Sequence, residues 1–365
     1  MRIQVLPGDG IGPEIMGVTL DVLRVAQRLH GVEFDFVERE IGLDSLARHG
    51  TTLSSSIVEE ATQVDGVILG PVSHYDYPPK ADGGLNPSAE LRTRLDLYAN
   101  IRPCRSRPGL PAVCHDMDLV IVRENTEGFY ADRNMWAGSG EFMPDPESAF
   151  AIRKITSRGS RRIAEVAFQL ATERRCRVTA VHKANVLHLS DGLFLREVRA
   201  VAAQHPDVEL HELIVDAAAA HLVRRPEQFD VLVTTNMFGD ILSDEASELS
   251  GSLGLGPSLN VSDRHVVAQA QHGSAPDIAG RDQANPTSLI LSAAMMLAWL
   301  ARRDARADLL TLSAAVEAAI ESTLADPALR TRDLGGSLGT RAFGAAVADA
   351  LVRAAGKHPS EERGY

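Results

Sequence analysis

The run Val231-Leu232-Val233-Thr234-Thr235 leads straight into Asn236-Met237-Phe238-Gly239-Asp240-Ile241-Leu242-Ser243-Asp244. The first five residues read as a buried strand and the next nine as the opening of a helix. A strand end that turns into a helix is where α/β proteins place their chemistry. Asp240 and Asp244 stand four residues apart, so a helix brings their carboxylates onto one face, one turn apart. Like charges that close repel unless something positive lies between them. A hard divalent cation, Mg2+ or Mn2+, takes oxygen ligands and answers that need. A solvated helix face is the plain alternative, but Met237, Phe238, Ile241 and Leu242 around the pair are apolar.

On either side of this passage short β-like runs recur at 66–69, 119–122, 178–181 and 210–215, with helical patterns at 161–172 and 193–204 between several of them. That alternation indicates an α/β fold. The first helix is marked by Pro13 and Glu14 in its opening turn and by an apolar stripe of Ile15, Val18, Val22, Leu23 and Val25. From about Pro286 the chain is nearly all helical, over 287–301, 309–324 and 340–355. The stretch of about 131–150 is rich in Gly, Pro, Asn and Met without a clear period and reads as a long loop or protruding arm.

With 365 residues the chain can form two domains or one large one, and its 44% hydrophobic and 24% charged composition is that of a globular protein. A formal charge of -12 argues against nucleic acid as a partner, so an anionic ligand needs locally placed arginines. No apolar run reaches membrane-spanning length, and Met1 to Leu6 enters a strand with no signal-peptide pattern. Cys104, Cys114 and Cys176 lack metal-type spacing and are odd in number, which fits a reduced, cytoplasmic setting.

Three arginines at strand or loop edges, Arg92, Arg102 and Arg123, suggest forks for carboxylates. Lys183 follows the strand at 178–181, where nearby cations favour a lowered pKa and a role as base. Asp216, taken as the residue that ends the strand at 210–215, is either a third oxygen ligand or a helix cap, and Tyr130 on its own is as suited to the core as to catalysis. Gly8-Asp9-Gly10-Ile11-Gly12 departs from G-x-G-x-x-G because its third glycine comes one residue early. His272-Gly273-Ser274-Ala275-Pro276-Asp277, with Asn285, forms a polar loop before a helix that is suited to wrapping an adenosine.

Taken together, 6–14, 96–103, 122–128, 236–244 and 272–280 resemble the β-decarboxylating dehydrogenases, the family of isocitrate, 3-isopropylmalate, homoisocitrate and tartrate dehydrogenases. The likeness covers residues 3 to about 352. It implies a two-domain isopropylmalate-dehydrogenase-like α/β fold with mixed sheets, not a Rossmann fold. A large cofactor-side domain would comprise 1–100 and 252–365, and a smaller dimerisation and catalytic domain 101–251. The resemblance further implies Arg92, Arg102 and Arg123 on the substrate carboxylates, joined by Ser73 and Ser88. Tyr130 would be the proton donor, Lys183 the base, and Asp216, Asp240 and Asp244 the ligands of Mg2+ or Mn2+. Ile11, His272, Gly273, Ser274, Ala275, Asp277 and Asn285 would hold the cofactor, with the glycine loop reduced to a structural turn. Family members work as homodimers in which Lys183 and one aspartate reach the neighbouring site. Asp277-Ile278 stands where NADP-using relatives carry Lys-Tyr. A carboxylate there repels a 2′-phosphate, so NAD is expected.

The residues before Arg92 bear on the substrate, a hydroxy di- or tricarboxylate. Isocitrate enzymes carry Ser-x-Asn six and four residues ahead of this arginine, and here Asn86 and Ser88 stand in the reverse order. Apolar residues near Ser88 and Ala89, as in isopropylmalate enzymes, are absent, and so is the homoisocitrate-type arginine at Ala89. Gln269 replaces a usual Glu, and Ala217 a frequent Asn. The expected substrate is a (2R)-3-substituted malate, with the 3-isopropylmalate or homoisocitrate type ahead of isocitrate, tartrate or D-malate. A non-catalytic regulatory subunit is the reading from another class. The presence of Lys183, Tyr130 and all three aspartates speaks against it.

Overall fold

A computed structural model describes residues 1–130, 135 and 138–356. In chain order the first elements are β1 (Arg2–Leu6), α1 (Gly12–His30), β2 (Asp35–Glu38), α2 (Gly42–His49), α3 (Ser55–Ala61), β3 (Gly66–Leu69) and α4 (Pro87–Arg94). The middle of the chain supplies β4 (Ala99–Arg105), β5 (Asp118–Glu124), β6 (Glu141–Asp145), β7 (Ser148–Ala151), α5 (Ser157–Thr172), β8 (Arg177–His182), α6 (Ser190–Ala202), β9 (Glu209–Ile214), α7 (Val215–Arg224), β10 (Val231–Thr234) and α8 (Asn236–Ser250). The chain closes with β11 (Pro257–Val261), β12 (Val266–Ala270), α9 (Thr287–Arg303), α10 (Ala307–Ala325) and α11 (Thr340–Ala355).

This is a mixed α/β architecture. Ten strands form one sheet in the order β2-β1-β3-β12-β11-β4-β5-β10-β8-β9. Both outer thirds are parallel, and the three antiparallel pairings β12–β11, β11–β4 and β4–β5 lie together in the centre. Strands from the two ends of the chain build one half and strands from its middle build the other. They meet where Leu259, Asn260 and Val261 pair with Ile101, Asn100 and Ala99. Helices cover both faces, which is why strands such as β3 and β10 are buried along their whole length and read as apolar runs rather than alternating ones. Helix α9 lies against β11 and β12 with most of its residues buried, as its continuous apolar sequence requires.

Two local readings change. The strand expected at 210–215 ends at Ile214, so Asp216 is not a strand-end residue but sits in the first turn of α7, where a carboxylate suits the positive helix end. The arm expected at about 131–150 contains a two-stranded hairpin, β6 with β7, whose side chains are largely exposed. Residues 131–134 and 136–137 of that arm lie outside the described residues. Among the described residues, no helix is long and apolar enough to cross a membrane.

The glycine loop is a packing node. Asp9, buried within it, accepts hydrogen bonds from Leu43 N at 2.7 Å and Ser73 N at 2.9 Å, and also one from the Tyr77 hydroxyl. Gly10 presses so close to Ser274 that a Cβ would lie 2.0 Å from the Ser274 carbonyl oxygen. Gly42 has φ +79°, and its Cβ would lie 2.2 Å from Asp9 Oδ1. Gly42→Ala should therefore lower unfolding stability by about 1–3 kcal/mol, through left-handed strain and displacement of Asp9. Urea denaturation checks this, and an unchanged midpoint would contradict it.

Candidate active site

Helix α4 begins with Asn86 as cap, its Oδ1 accepting from Ser88 N at 3.0 Å and Ala89 N at 3.2 Å, and with Pro87 in the first turn. That start places Ser88 and Arg92 one turn apart on a single face, and both line a cleft of about 500 Å³. Arg102 on β4, Arg123 on β5, Tyr130, and Asp240 on α8 line the same cleft, as do Gln269, Gln271, His272 and Gly273. Sequence positions from Pro71 to Gly273 thus converge on one cleft.

The centre is electrostatic. Arg123 is 1% exposed. Its Nε donates to Asn236 Oδ1 at 2.9 Å, its Nη2 to the Tyr130 hydroxyl at 2.7 Å, and its Nη1 to Asp240. Tyr130 in turn donates to Asp240 Oδ2 at 2.6 Å. Arg102 Nη1 lies 3.2 Å from Asp240 Oδ1 and 3.2 Å from Asp244 Oδ1, while Asn100 Oδ1 accepts from its Nε at 2.6 Å. The carboxylate pair one turn apart is thus neutralised in this chain by a guanidinium. Gln271 Nε2 adds a bond to Asp244 Oδ1 at 2.8 Å.

These contacts shift ionisation. Burial, reinforced by Arg102 and opposed by Asp240, lowers Arg123 to about 10. Burial works to raise the Asp240 carboxyl, but Arg123 and Arg102 together hold it below the ordinary aspartate range. Burial pushes the Tyr130 phenol upward, with Arg123 opposing and Asp240 adding, so it stays protonated at neutral pH.

Other expected site residues lie elsewhere. Lys183 follows β8, and its ammonium pairs with Asp216. Neither residue lines the cleft, and among the described residues no group of three or more His, Cys, Asp or Glu side chains is placed to hold a metal ion. Within one chain, then, Asp216 does not join Asp240 and Asp244. Ser73 is also absent from the cleft lining. Its N–H is held by Asp9, and its hydroxyl lies 2.7 Å from that of Ser274. Ile11 donates its N–H to the Ser274 carbonyl at 2.8 Å. Asn285 is tied to Asp333 Oδ2 at 2.9 Å and to Thr287 N at 3.0 Å. Ala275 takes a left-handed conformation with φ +38°, and Asp277 after it is exposed.

The donor chemistry fits the groups that the resemblance implied. Two carboxylate oxygens already converge on one cationic nitrogen, which is the arrangement a hard divalent ion needs from one chain. On the other side, His272 Nε2 is out of solvent with no hydrogen-bond partner among the described residues, and burial lowers its imidazole pKa. A neutral imidazole with an unmet nitrogen beside a Gly-Ser turn suits an adenosine-like ligand. Asn100, Asn236, Ser243 and Gln271 were not picked out from the sequence. Asn236 and Ser243 fall in the run 236–244 and Asn100 stands two residues before Arg102, but none has a distinctive type or spacing, and Gln271 meets Asp244 from 27 residues away.

The chain belongs to the isocitrate/isopropylmalate dehydrogenase family, whose sequence profile matches residues 2–347. Among its relatives, the 3-isopropylmalate dehydrogenase of Methanothermobacter thermautotrophicus is 41% identical over 95% of this chain and 98% of that protein. The isocitrate/homoisocitrate dehydrogenase of Thermus thermophilus is 43% identical over 96% and 98% respectively. The crystal structure of isocitrate dehydrogenase from Methylococcus capsulatus superposes with a TM-score of 0.85 at 36% identity, covering 96% of this chain and 99% of that one.

Asp240→Asn removes the carboxylate that compensates a buried guanidinium. It should cost about 1–3 kcal/mol at pH 7, less than the 3–5 typical of fully buried pairs, because the Asp240 side chain is 38% exposed. A carboxyl with a depressed folded pKa contributes stability above its unfolded pKa and loses it as pH falls through the folded value. The difference between the two proteins should hold at neutral pH and vanish in acid below the ordinary aspartate range. Denaturant titrations of both proteins across pH check the direction, and a gap that widens in acid would contradict it.

Proposed function

We propose that this chain catalyses the NAD-linked oxidative decarboxylation of a (2R)-3-substituted malate with Mg2+ or Mn2+, the 3-isopropylmalate or homoisocitrate type favoured. One observation carries the reading: Arg102 and Arg123, buried and facing one cleft with Arg92, lie against Tyr130 and the helix-borne aspartates. Three guanidiniums around a small cleft in a protein of net charge -12 match a compact polyanion.

In this reading, Arg92, Arg102 and Arg123 grip the substrate carboxylates and hold C2 and C3 in place. Asp240, Asp244 and the partner chain's copy of the Asp216 position would hold the ion. When bound, the ion supplies Lewis-acid stabilisation of developing oxygen charge, and NAD supplies the hydride acceptor. Lys183 takes the proton from the 2-hydroxyl. Tyr130, kept protonated by burial, returns a proton to C3 after carbon dioxide leaves. His272, Gly273, Ser274, Ala275, Ile11 and Asn285 would frame the cofactor, and exposed Asp277 would face the ribose diol. The two halves of the sheet would act as two domains, 1–100 with 252–365 and 101–251, and the molecule as a cytoplasmic homodimer with shared sites.

Rates of NADH formation with Mn2+ across 3-isopropylmalate, homoisocitrate, isocitrate, tartrate and D-malate test the substrate. One of the first two should lead in kcat/KM, and NADP should be poorer than NAD by about tenfold or more, from the like charge at Asp277. Turnover confined to isocitrate, or a preference for NADP, would sink these assignments. Shared sites make a separate prediction. Lys183→Ala and Tyr130→Phe chains, each inactive alone, should regain about a quarter of the wild-type sites when unfolded and refolded together, because half of the random dimers are hybrids with one intact site. No recovery from well-folded mixtures would place Lys183 and Tyr130 in the same chain's site.

A further inference from the structure

Arg153 and Asp191 form an ion pair buried outside the cleft, with side chains 8% and 0% exposed. Burying two charges is seldom worthwhile for stability alone, so the geometry of the pair calls for a reason. Besides Asp191, Arg153 Nη1 donates to Ser190 Oγ at 3.0 Å and Nη2 to Thr235 Oγ1 at 3.0 Å. Its guanidinium carbon lies 5.7 Å from the Phe129 ring centroid and 5.3 Å from that of Phe238. The second oxygen of Asp191 accepts the Lys183 main-chain N–H at 2.6 Å. The next residue, Lys154, exchanges main-chain hydrogen bonds of 2.8 and 3.0 Å with Gly128.

Three segments therefore meet at one guanidinium. They are the main chain of Lys183, the loop 128–130 that ends in Tyr130, and the start of α8, which carries Asp240 and Asp244. We propose that Arg153 is a positioning residue that, through Asp191, sets the Lys183 backbone and the Tyr130 loop against the start of α8. The inference rests on the roles given above to Lys183 and Tyr130. It adds that the base serving one site of the dimer and the acid serving the other are braced by a single strut within each chain. Arginine is required because its planar fork reaches Asp191, Ser190 and Thr235 at once while stacking on two rings. A lysine offers one nitrogen and no plane.

The test uses the full-length holoenzyme with saturating Mn2+, comparing Arg153→Met, Arg153→Lys and wild type by steady-state kinetics and by hydrogen exchange of the peptide containing the Lys183 amide. Arg153→Met should lose about 10- to 100-fold in kcat with KM within about threefold, the signature of misplacement rather than lost binding. Its Lys183 peptide should exchange faster, and Arg153→Lys should restore part of both. A lower melting temperature with kcat unchanged, or unchanged exchange at Lys183, would overturn the proposal. If Arg153→Met does not fold, Thr235→Val and Ser190→Ala, which each remove one bond to the guanidinium, carry the test. A kcat loss of about two- to fivefold at unchanged melting temperature supports the strut, and no loss in either variant overturns it. Lys183→Ala is the control for the underlying reading. Full turnover by that variant would discard Lys183 as the base, while the exchange data would still judge the strut.

Discussion

The Arg123 guanidinium is a full charge taken out of water, and much of the surrounding sequence answers to it. A buried cation is tolerated only when its donors meet acceptors and its charge meets an opposite one. Asn236 takes the Nε donor, Asp240 supplies the charge and Tyr130 takes a further donor. Gly239 leaves the space: a Cβ there would stand 2.7 Å from both Cβ and Cγ of Arg123. The run Asn236–Asp240 is in this sense a mould around one side chain that arrives from a neighbouring strand. The pairing of Thr234 with Arg123 in β10 and β5 brings that side chain to the start of α8.

Strand register carries the constraint further. Because β4 runs antiparallel to β5, with Asn100 opposite Arg123, Arg102 emerges two residues along on the same face. Two guanidiniums then share Asp240, and Arg102 also reaches Asp244. Burial first, and the neighbouring Arg102 second, lower the pKa of Arg123. Among the described residues that line the cleft, Arg92, Arg102 and Arg123 stand beside the Asp240 carboxylate. An anionic ligand would meet charges that the chain already holds in place before it arrives.

The elements with strong local signals could be read directly. Strand β3 at Gly66–Leu69 and helix α11 at Thr340–Ala355 fall where periodicity placed them, because a buried strand is uniformly apolar and a covered helix carries its stripe. Asp216 was misplaced for the opposite reason: Leu213, Ile214 and Val215 continue an apolar run across the point where the backbone turns into α7. The three cleft arginines and the Asp240–Asp244 pair could be singled out because each has a tell-tale type or spacing. Asn100 and Gln271 were not, since an amide that supports a guanidinium or a carboxylate through space has no signature along the chain. Arg153 and Asp191, separated by 38 residues, are a further case. In sequence each looks like any surface charge, and only the fold puts them together.

The single chain offers two sets of charged groups, each neutralised within itself. One is Lys183 with Asp216, and the other is the arginine-bound pair Asp240 and Asp244. The Lys183–Asp216 pair is partly solvated, so its net worth is small and it is readily exchanged for another partner. Both sets are bordered by apolar side chains that face water: Val186 and Leu189 just after Lys183, and Ile241 beside Asp240 on α8. The β6–β7 hairpin adds exposed Phe142, Met143 and Phe150. Exposed apolar groups next to half-sets of charged groups are what a surface looks like when a second copy is needed to cover the first and complete the second. The cost of leaving those side chains wet and the cost of leaving three carboxylates without a common ion would then be removed by one association. That argument supports a shared site on grounds independent of any sequence motif.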